Sequence, residues 1–298
     1  MTRVLVITSR DLEKGSTKFR IAQYGEFLAS RDIHLEYIRR DAIDTVTTGN
    51  LQGFDLVINQ KCLTRTALAR KVLKNAKHTL FDFDDAIYTR PGTPYRWPTS
   101  ARVRNRLHLW LQTADVVTTS SRFLAEYAGQ YAANVITVPM AVDTELWKPA
   151  GEKQHDDIVI GWAGAPVNLP NLARLETVLR SILDRYPSVR LAIFSGKRPD
   201  LKIRYEYVPF APGGEHEFIS NLDIGLLPLP SEKYTLGKSP IKAIQYLACG
   251  VPVIGEIHGG APAEILNPEN SIPVSSQQDW LRGLETLIDD RILRKTLG

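Results

Sequence analysis

Asp223–Gly255 reads DIGLLPLPSEKYTLGKSPIKAIQYLACGVPVIG, and the order of its apolar runs, prolines and glycines decides the fold. Ile224–Leu229 is a nearly unbroken apolar run, the pattern of a strand buried on both faces of a parallel sheet. Pro228 and Pro230 close it, and Ser231–Leu236 reads as a polar loop. Gly237, Lys238 and Ser239 follow, with Pro240 where the first helical residue belongs; serine as cap and proline in the first turn mark a helix start. The helix runs to Ala248 with Ile241, Ile244, Leu247 and Ala248 at core spacing, and Gly250 stops it. Val251–Ile254 is the next buried strand. Strand, helix and strand in this order make a unit of a parallel α/β sheet.

The chemistry this unit suggests is anion capture. A Gly-Lys-Ser turn at a helix N-terminus offers backbone N–H groups, the positive end of the helix dipole and a lysine together. Lys242, one turn further in, can point to the same place. An ordinary βαβ unit with two solvated lysines is the plain alternative, because the turn lacks the full spacing of a phosphate-binding loop.

Residues 223–255 resemble the donor-binding core of the GT-B glycosyltransferases, in particular glycosyltransferase family 4. The resemblance rests on Asp223-Ile224-Gly225, Pro228-Leu229 and Ala248-Cys249-Gly250-Val251-Pro252-Val253-Ile254. It implies two Rossmann-like α/β domains facing a cleft, and transfer of a sugar from a nucleotide diphosphate donor with retention of configuration. No cofactor beyond the donor and no metal is implied. Many relatives carry two glutamates, toward the donor sugar and its ribose, where this chain has Gly237 and Gln245. The chain instead resembles a branch with Gly237, Lys238, Lys242 and Gln245 in a G-K-x-x-x-K-x-x-Q pattern, and Gln245 can still hydrogen-bond a ribose hydroxyl. Gly237, Lys238, Ser239, Lys242 and Gln245 are therefore donor-binding candidates.

A chain of 298 residues suits two domains better than one. Hydrophobic content of 43% with 23% charged residues is that of an ordinary globular protein, and no apolar run reaches the ~18 residues of a membrane span. The opening MTRVLVITSRD enters a strand at once and lacks the shape of a signal peptide. Cys62 and Cys249 sit in apolar contexts in different expected domains, as buried thiols of a reducing compartment do. The expectation is a cytoplasmic enzyme. Charge is uneven: residues 1–150 hold 21 Lys and Arg against 15 Asp and Glu, and residues 151–298 hold 16 against 18. A basic first half suits an anionic surface or acceptor; nothing indicates a nucleic-acid partner.

In the first half, Val4–Thr8 reads as a buried strand, and the loop 10–17 leads into a helix from Lys18 to about Ser30. The loop lacks a dinucleotide fingerprint; the resemblance makes Gly15, Ser16 and Arg20 donor-side residues, against the alternative of a plain βα turn. Strands follow at His34–Arg39 and Leu56–Asn59. Thr64–Lys77 reads as an amphipathic helix bearing Arg65, Arg70, Lys71, Lys74 and Lys77. Together with Arg102, Arg104 and Arg106 this helix could lie on anionic lipid, peripheral on the inner membrane face, with a glycan or lipid-linked acceptor. A solvated charged face is the alternative. Thr79–Tyr88 (TLFDFDDAIY) ends a strand in Asp82, Asp84 and Asp85. Crowded carboxylates at a strand's C-terminal end sit where α/β sheets bind ligands and raise one another's pKa, so they are the candidate catalytic residues. A divalent metal or a helix cap are the other uses of such a cluster. Many relatives present a catalytic histidine here, and this chain does not.

The first domain is expected to span 1–147, a polar linker 148–157 and the second domain 158–298. The second opens with Ile158–Trp162 and the turn Ala163-Gly164-Ala165-Pro166, where the resemblance makes Gly164 face the donor diphosphate. A helix is expected over Leu169–Tyr186, strands at Leu191–Phe194 and Arg204–Val208, and Lys197 in a basic turn that can reach a phosphate. Gln277–Asp290 is the last clear helix; the crossover helix that usually closes a GT-B chain is expected to be short or missing. The functional expectation is a hexosyl-transferring enzyme of surface glycan or glycolipid synthesis. A sugar-nucleotide epimerase on the same fold, or a non-catalytic relative, is the rival.

Overall fold

The computed structural model describes residues 1–9, 12, 15–151 and 157–298. Loop residues Arg10, Asp11, Glu13 and Lys14 and linker residues 152–156 lie outside the described residues. The chain divides into two compact units: Met1–Ala141 with Glu232–Ser239, and Val142–Ser231 with Pro240–Gly298.

Unit 1 is built on a six-stranded sheet of β1 (Thr2–Thr8), β2 (Ile33–Arg39), β3 (Leu56–Gln60), β4 (Thr79–Phe83), β5 (Val116–Thr119) and β6 (Val135–Thr137). Every pairing is parallel, in the order β2-β1-β3-β4-β5-β6. Chain order reverses beside β1, so the C-terminal ends of β1 and β3 flank the point where such sheets take ligands. The apolar run of β1 and the phenylalanines of β4 are buried, as in a parallel sheet covered on both faces. Phe81, Phe83, Val117, Leu107, Trp110, Leu111 and Leu124 form the larger core, with Phe81 stacked between Phe83 and Trp110.

Two expected helices differ. The one expected from Lys18 to Ser30 is broken into Gly15–Arg20, a 3-10 turn and Gly25–Ala29, because Ile21 leaves helical geometry at φ −136°. The basic helix is shorter than expected, Thr66–Asn75, and buries Ala69 and Val72.

Unit 2 has β7 (Ile158–Ala163), β8 (Val189–Ser195), β9 (Glu206–Pro209), β10 (Ile224–Leu227), β11 (Val253–Glu256) and β12 (Ser271–Val274), ordered β12-β11-β10-β7-β8-β9. This is the doubly wound order with its reversal between β7 and β10. Helices Glu176–Arg185 and Gln277–Asp289 pack Leu179, Ile182, Trp280, Leu284 and Leu287 onto Ile160, Ile193, Ile224 and Ile254.

Two features of unit 2 differ from the sequence reading. β12 went unread because Pro273 interrupts it; the strand is at the sheet edge, where a missing N–H costs little. The helix expected over Leu169–Tyr186 is two, Leu169–Ala173 and Glu176–Arg185. The last residues form a helix, Arg291–Leu297, that packs into unit 2 through Leu297. The polar loop after β10 contains a one-turn helix, Lys233–Leu236, and Glu232–Ser239 groups with unit 1 although its neighbours on both sides belong to unit 2.

Candidate functional site

In unit 1 the register places Gln60, Asp82 and Thr118 side by side at the ends of β3, β4 and β5. Asp82 is buried. It accepts from Thr118 Oγ1 at 2.8 Å and from Arg20 Nε at 3.3 Å, and pairs with Arg20 Nη2. Arg20 also donates to the Val138 carbonyl. Both side chains are about 5% exposed or less, so the pair ties helix Gly15–Arg20 to the sheet.

Asp84 and Asp85 share one cation that the sequence reading missed. Lys61 Nζ lies 2.7 Å from Asp84 Oδ1 and 2.7 Å from Asp85 Oδ2. Burial pushes the Asp84 carboxyl up to about 6, with Asp85 and Asp82 adding to the rise and Lys61 opposing it. Burial also disfavours the Lys61 charge, but the two carboxylates outweigh it and raise the lysine above its ordinary pKa. Lys61 was hidden because it follows a buried strand 23 positions before Asp84 and belongs to no local motif. Beside it, Gln60 is fully buried; its Oε1 accepts from Thr17, and its Nε2 has no partner among the described residues. Among the described residues no set of three or more His, Cys, Asp or Glu converges as a metal site would.

The Gly-Lys-Ser turn differs from its expected geometry. The Gly237 and Lys238 amides donate to the Tyr234 and Thr235 carbonyls at 3.2 and 3.1 Å, closing the short helix instead of standing open. Helix Ile241–Ala248 starts one residue later than expected, with Pro240 as its N-cap, so Ser239 is buried ahead of the cap. Gly237 serves close packing: a Cβ there would stand 2.7 Å from Ala86 Cβ and 3.0 Å from Leu124 Cδ2. The turn thus rests against the residue that follows Asp85.

Unit 2 joins Lys242 and Gln245 with a residue from another helix. Lys242 Nζ pairs with Glu215 and donates to Gln245 Oε1 at 2.9 Å, while Gln245 Nε2 donates to Glu215 Oε2 at 3.0 Å. Glu215 lies in the first turn of helix Gly214–Ser220, which follows β9; sequence gave no sign of it, the two positions being 27 apart. The ring of three sits at the C-terminal edge of the sheet. Tyr246 fixes its helix there, since the Ala163 amide at the end of β7 donates to Tyr246 Oη at 2.9 Å.

The remaining candidates lie apart from these contacts. Gly164 follows β7 against the Trp162 ring, which a Cβ would meet at 2.4 Å. Lys197 is exposed in the turn after β8. Gly15 begins its helix at φ 54° with open space around it, and Ser16 is partly exposed.

No family model matches the chain, and no curated protein does. Solved structures do. A sucrose-phosphate synthase from Thermosynechococcus elongatus is 14% identical over 100% of this chain and 92% of its own, with a TM-score of 0.76. Anabaena HepE in complex with UDP and glucose is 12% identical over 100% and 92%, with a TM-score of 0.71. A Listeria monocytogenes protein described as a UDP-N-acetylglucosamine 2-epimerase is 12% identical over 99% and 90%, with a TM-score of 0.62. At these identities the likeness shows the fold: two α/β units, each on a six-stranded parallel sheet, as in the GT-B architecture.

Proposed function

We propose that this chain is a glycosyltransferase of the family 4 type that takes a hexosyl group from a nucleotide diphosphate sugar with retention. The observation that carries the reading is the Glu215–Lys242–Gln245 ring at the β7/β10 reversal of unit 2. Its support is that HepE, which shares this architecture, has been captured with UDP and with UDP-glucose. A fold hosts many activities, so the assignment leans on the site.

Chemically, the leaving group is a diphosphate whose negative charge grows as the glycosidic bond breaks. Cationic groups of unit 2, Lys242 and Lys197, lower the barrier in proportion to the charge they leave uncancelled. Glu215, partly exposed, takes up part of Lys242's charge and is the acceptor for ribose or sugar hydroxyls, while Gln245, fully buried, braces both side chains. In unit 1, the Asp84–Asp85 pair orients the acceptor hydroxyl or stabilises positive charge on the sugar ring. Asp82 and Arg20 hold the strand end in place. The acceptor is a glycan or a lipid-linked glycan, in the setting of the cytoplasm or its membrane face.

Thermal shift with UDP, UDP-glucose and other nucleotide sugars, followed by assay of nucleoside diphosphate release, tests this. Stabilisation by a nucleotide sugar and release of its diphosphate are expected. The likeness to the Listeria protein supports an epimerase as a second reading; it predicts a changed sugar in the product of a nucleotide-sugar incubation without any transfer to acceptor. Absence of binding to every nucleotide sugar would end both readings.

A further inference from the structure

The three carboxylates that end β4 stand in different surroundings. Asp82 is engaged by Arg20 and Thr118. The Asp84 side chain is 3% exposed and that of Asp85 21%. Between the last two lies the Lys61 ammonium, 13% exposed and 2.7 Å from each. Lys61 holds a left-handed backbone, φ 45°, which lysine rarely adopts. Its amide is fixed to the Asp82 carbonyl at 2.7 Å, and Asn59 and Cys62 brace the turn on either side through the Asn59 side chain. Unfavoured backbone held in place by its surroundings is a recurrent mark of functional positions.

We propose that Lys61 is a positioning residue that holds the partly exposed Asp85 side chain in place, with Asp84 as its buried second partner. The inference rests on the reading that unit 1's carboxylates serve the transfer. The charged groups around the pair come from every neighbouring element. Lys61 follows β3, Asp82 belongs to β4, and Arg20 comes from the helix after β1 with Tyr24 beyond it. Arg40, after β2, acts on Cys62 next to Lys61. One ammonium between two carboxylates leaves the pair one positive charge short, and burial makes that shortfall costly. A proton is therefore favoured on Asp84, the member with less access to water.

The test follows the Asp84 carboxyl by carbon-13 NMR in the full chain, with the signal assigned through Asp84→Asn. The wild-type carboxyl is expected to titrate near 6. Lys61→Met is expected to move it upward by about one unit or more, and Lys61→Arg to restore it to near the wild-type position. In UDP release from UDP-glucose, Lys61→Met lowers kcat and shifts the pH profile while affinity for UDP stays unchanged. An Asp84 titration that ignores Lys61→Met overturns the proposal. If Lys61→Met does not fold, Lys61→Met with Asp84→Asn removes the charge together with its counter-charge. Recovery of folded protein in that double variant supports the pairing, and a double variant as unfolded as the single one overturns it. Wild-type protein that binds neither UDP nor UDP-glucose passes the glycosyltransferase reading to the other nucleotide sugars, and the Asp84 titration still decides the role of Lys61.

Discussion

At the scale of single residues, the candidate carboxylates separate into one that holds structure and two that are poised. Asp82 and Arg20 are a buried ion pair, and removing one member leaves the other charged in a dry site. Asp82→Ala is therefore expected to lose about 3–5 kcal/mol, whereas Asp85→Asn, at a partly exposed side chain, should lose far less. Denaturant melts compare the two directly, and equal losses would contradict the division. Asp84 gives a pH signature. Its pKa is raised in the folded protein, so folding binds a proton there between the ordinary carboxylate value of 3.8 and about 6. That contribution is complete below the unfolded pKa and is lost as pH rises through about 6. Asp84→Asn removes it, so the variant should gain on wild type by up to roughly 3 kcal/mol between pH 4 and pH 6.5, with no further change above. A stability difference flat across that range would refute the burial argument. The sequence displayed these aspartates because three charges in four residues at the end of an apolar strand are conspicuous. Lys61 and Glu215 were invisible because each is defined by a partner brought near only by the fold.

At the scale of elements, the buried strands were legible because a parallel strand covered on both faces needs an unbroken apolar run, and β1, β7 and β10 have one. Marginal elements were not: β12 carries a proline, and Lys233–Leu236 is a single turn whose neighbours, not its own pattern, place it. The same limit explains the Gly-Lys turn, whose amides are consumed by the short helix that the sequence concealed. Helix Ile241–Ala248 carries Lys242, the proposed anion ligand, and its pairing with Glu215 reduces the charge it offers. Lys242→Ala is therefore expected to weaken UDP binding by about tenfold, near the lower end for a charge-assisted hydrogen bond. Glu215→Gln should act in the opposite direction on UDP, raising affinity several-fold by leaving Lys242 uncompensated. Calorimetry with UDP checks both; a loss of UDP affinity in Glu215→Gln would mean that the carboxylate orders the lysine more than it cancels it. Gly237→Ala tests the packing side of the same turn. Its Cβ would crowd Ala86 at 2.7 Å, and a destabilisation of about 1–3 kcal/mol is expected with nucleotide present or absent.

At the scale of the whole molecule, charge is distributed by half. Residues 1–150 carry an excess of six positive charges, and residues 151–298 an excess of two negative ones. The structure sorts the basic side chains of the first half into bound and open. Lys71 donates to the Val46 carbonyl, Lys77 pairs with Asp55 at 3.1 Å, and Arg106 reaches the Leu63 carbonyl at 3.3 Å. Arg65, Arg70 and Lys74 are exposed on or beside helix Thr66–Asn75, and Arg102 and Arg104 on the adjoining helix Thr99–Thr113. Trp97, 83% exposed, immediately precedes that second helix. Aromatic side chains with one wet and one apolar side favour the membrane interface, and each basic residue near an acidic surface contributes about 1 kcal/mol. Among the described residues no helix is long and apolar enough to cross a membrane. Three engaged side chains with Trp97 would give reversible binding that salt weakens as the Debye length shortens. Liposome sedimentation is expected to show binding to vesicles containing phosphatidylglycerol and none to neutral vesicles. Raising salt to about 0.5 M should release the protein, as should Arg65, Arg70 and Lys74→Glu in combination, while Trp97→Ala should weaken binding at every salt concentration. Equal partitioning to both vesicle types, or none to either, would assign these charges to solvation and the acceptor to solution.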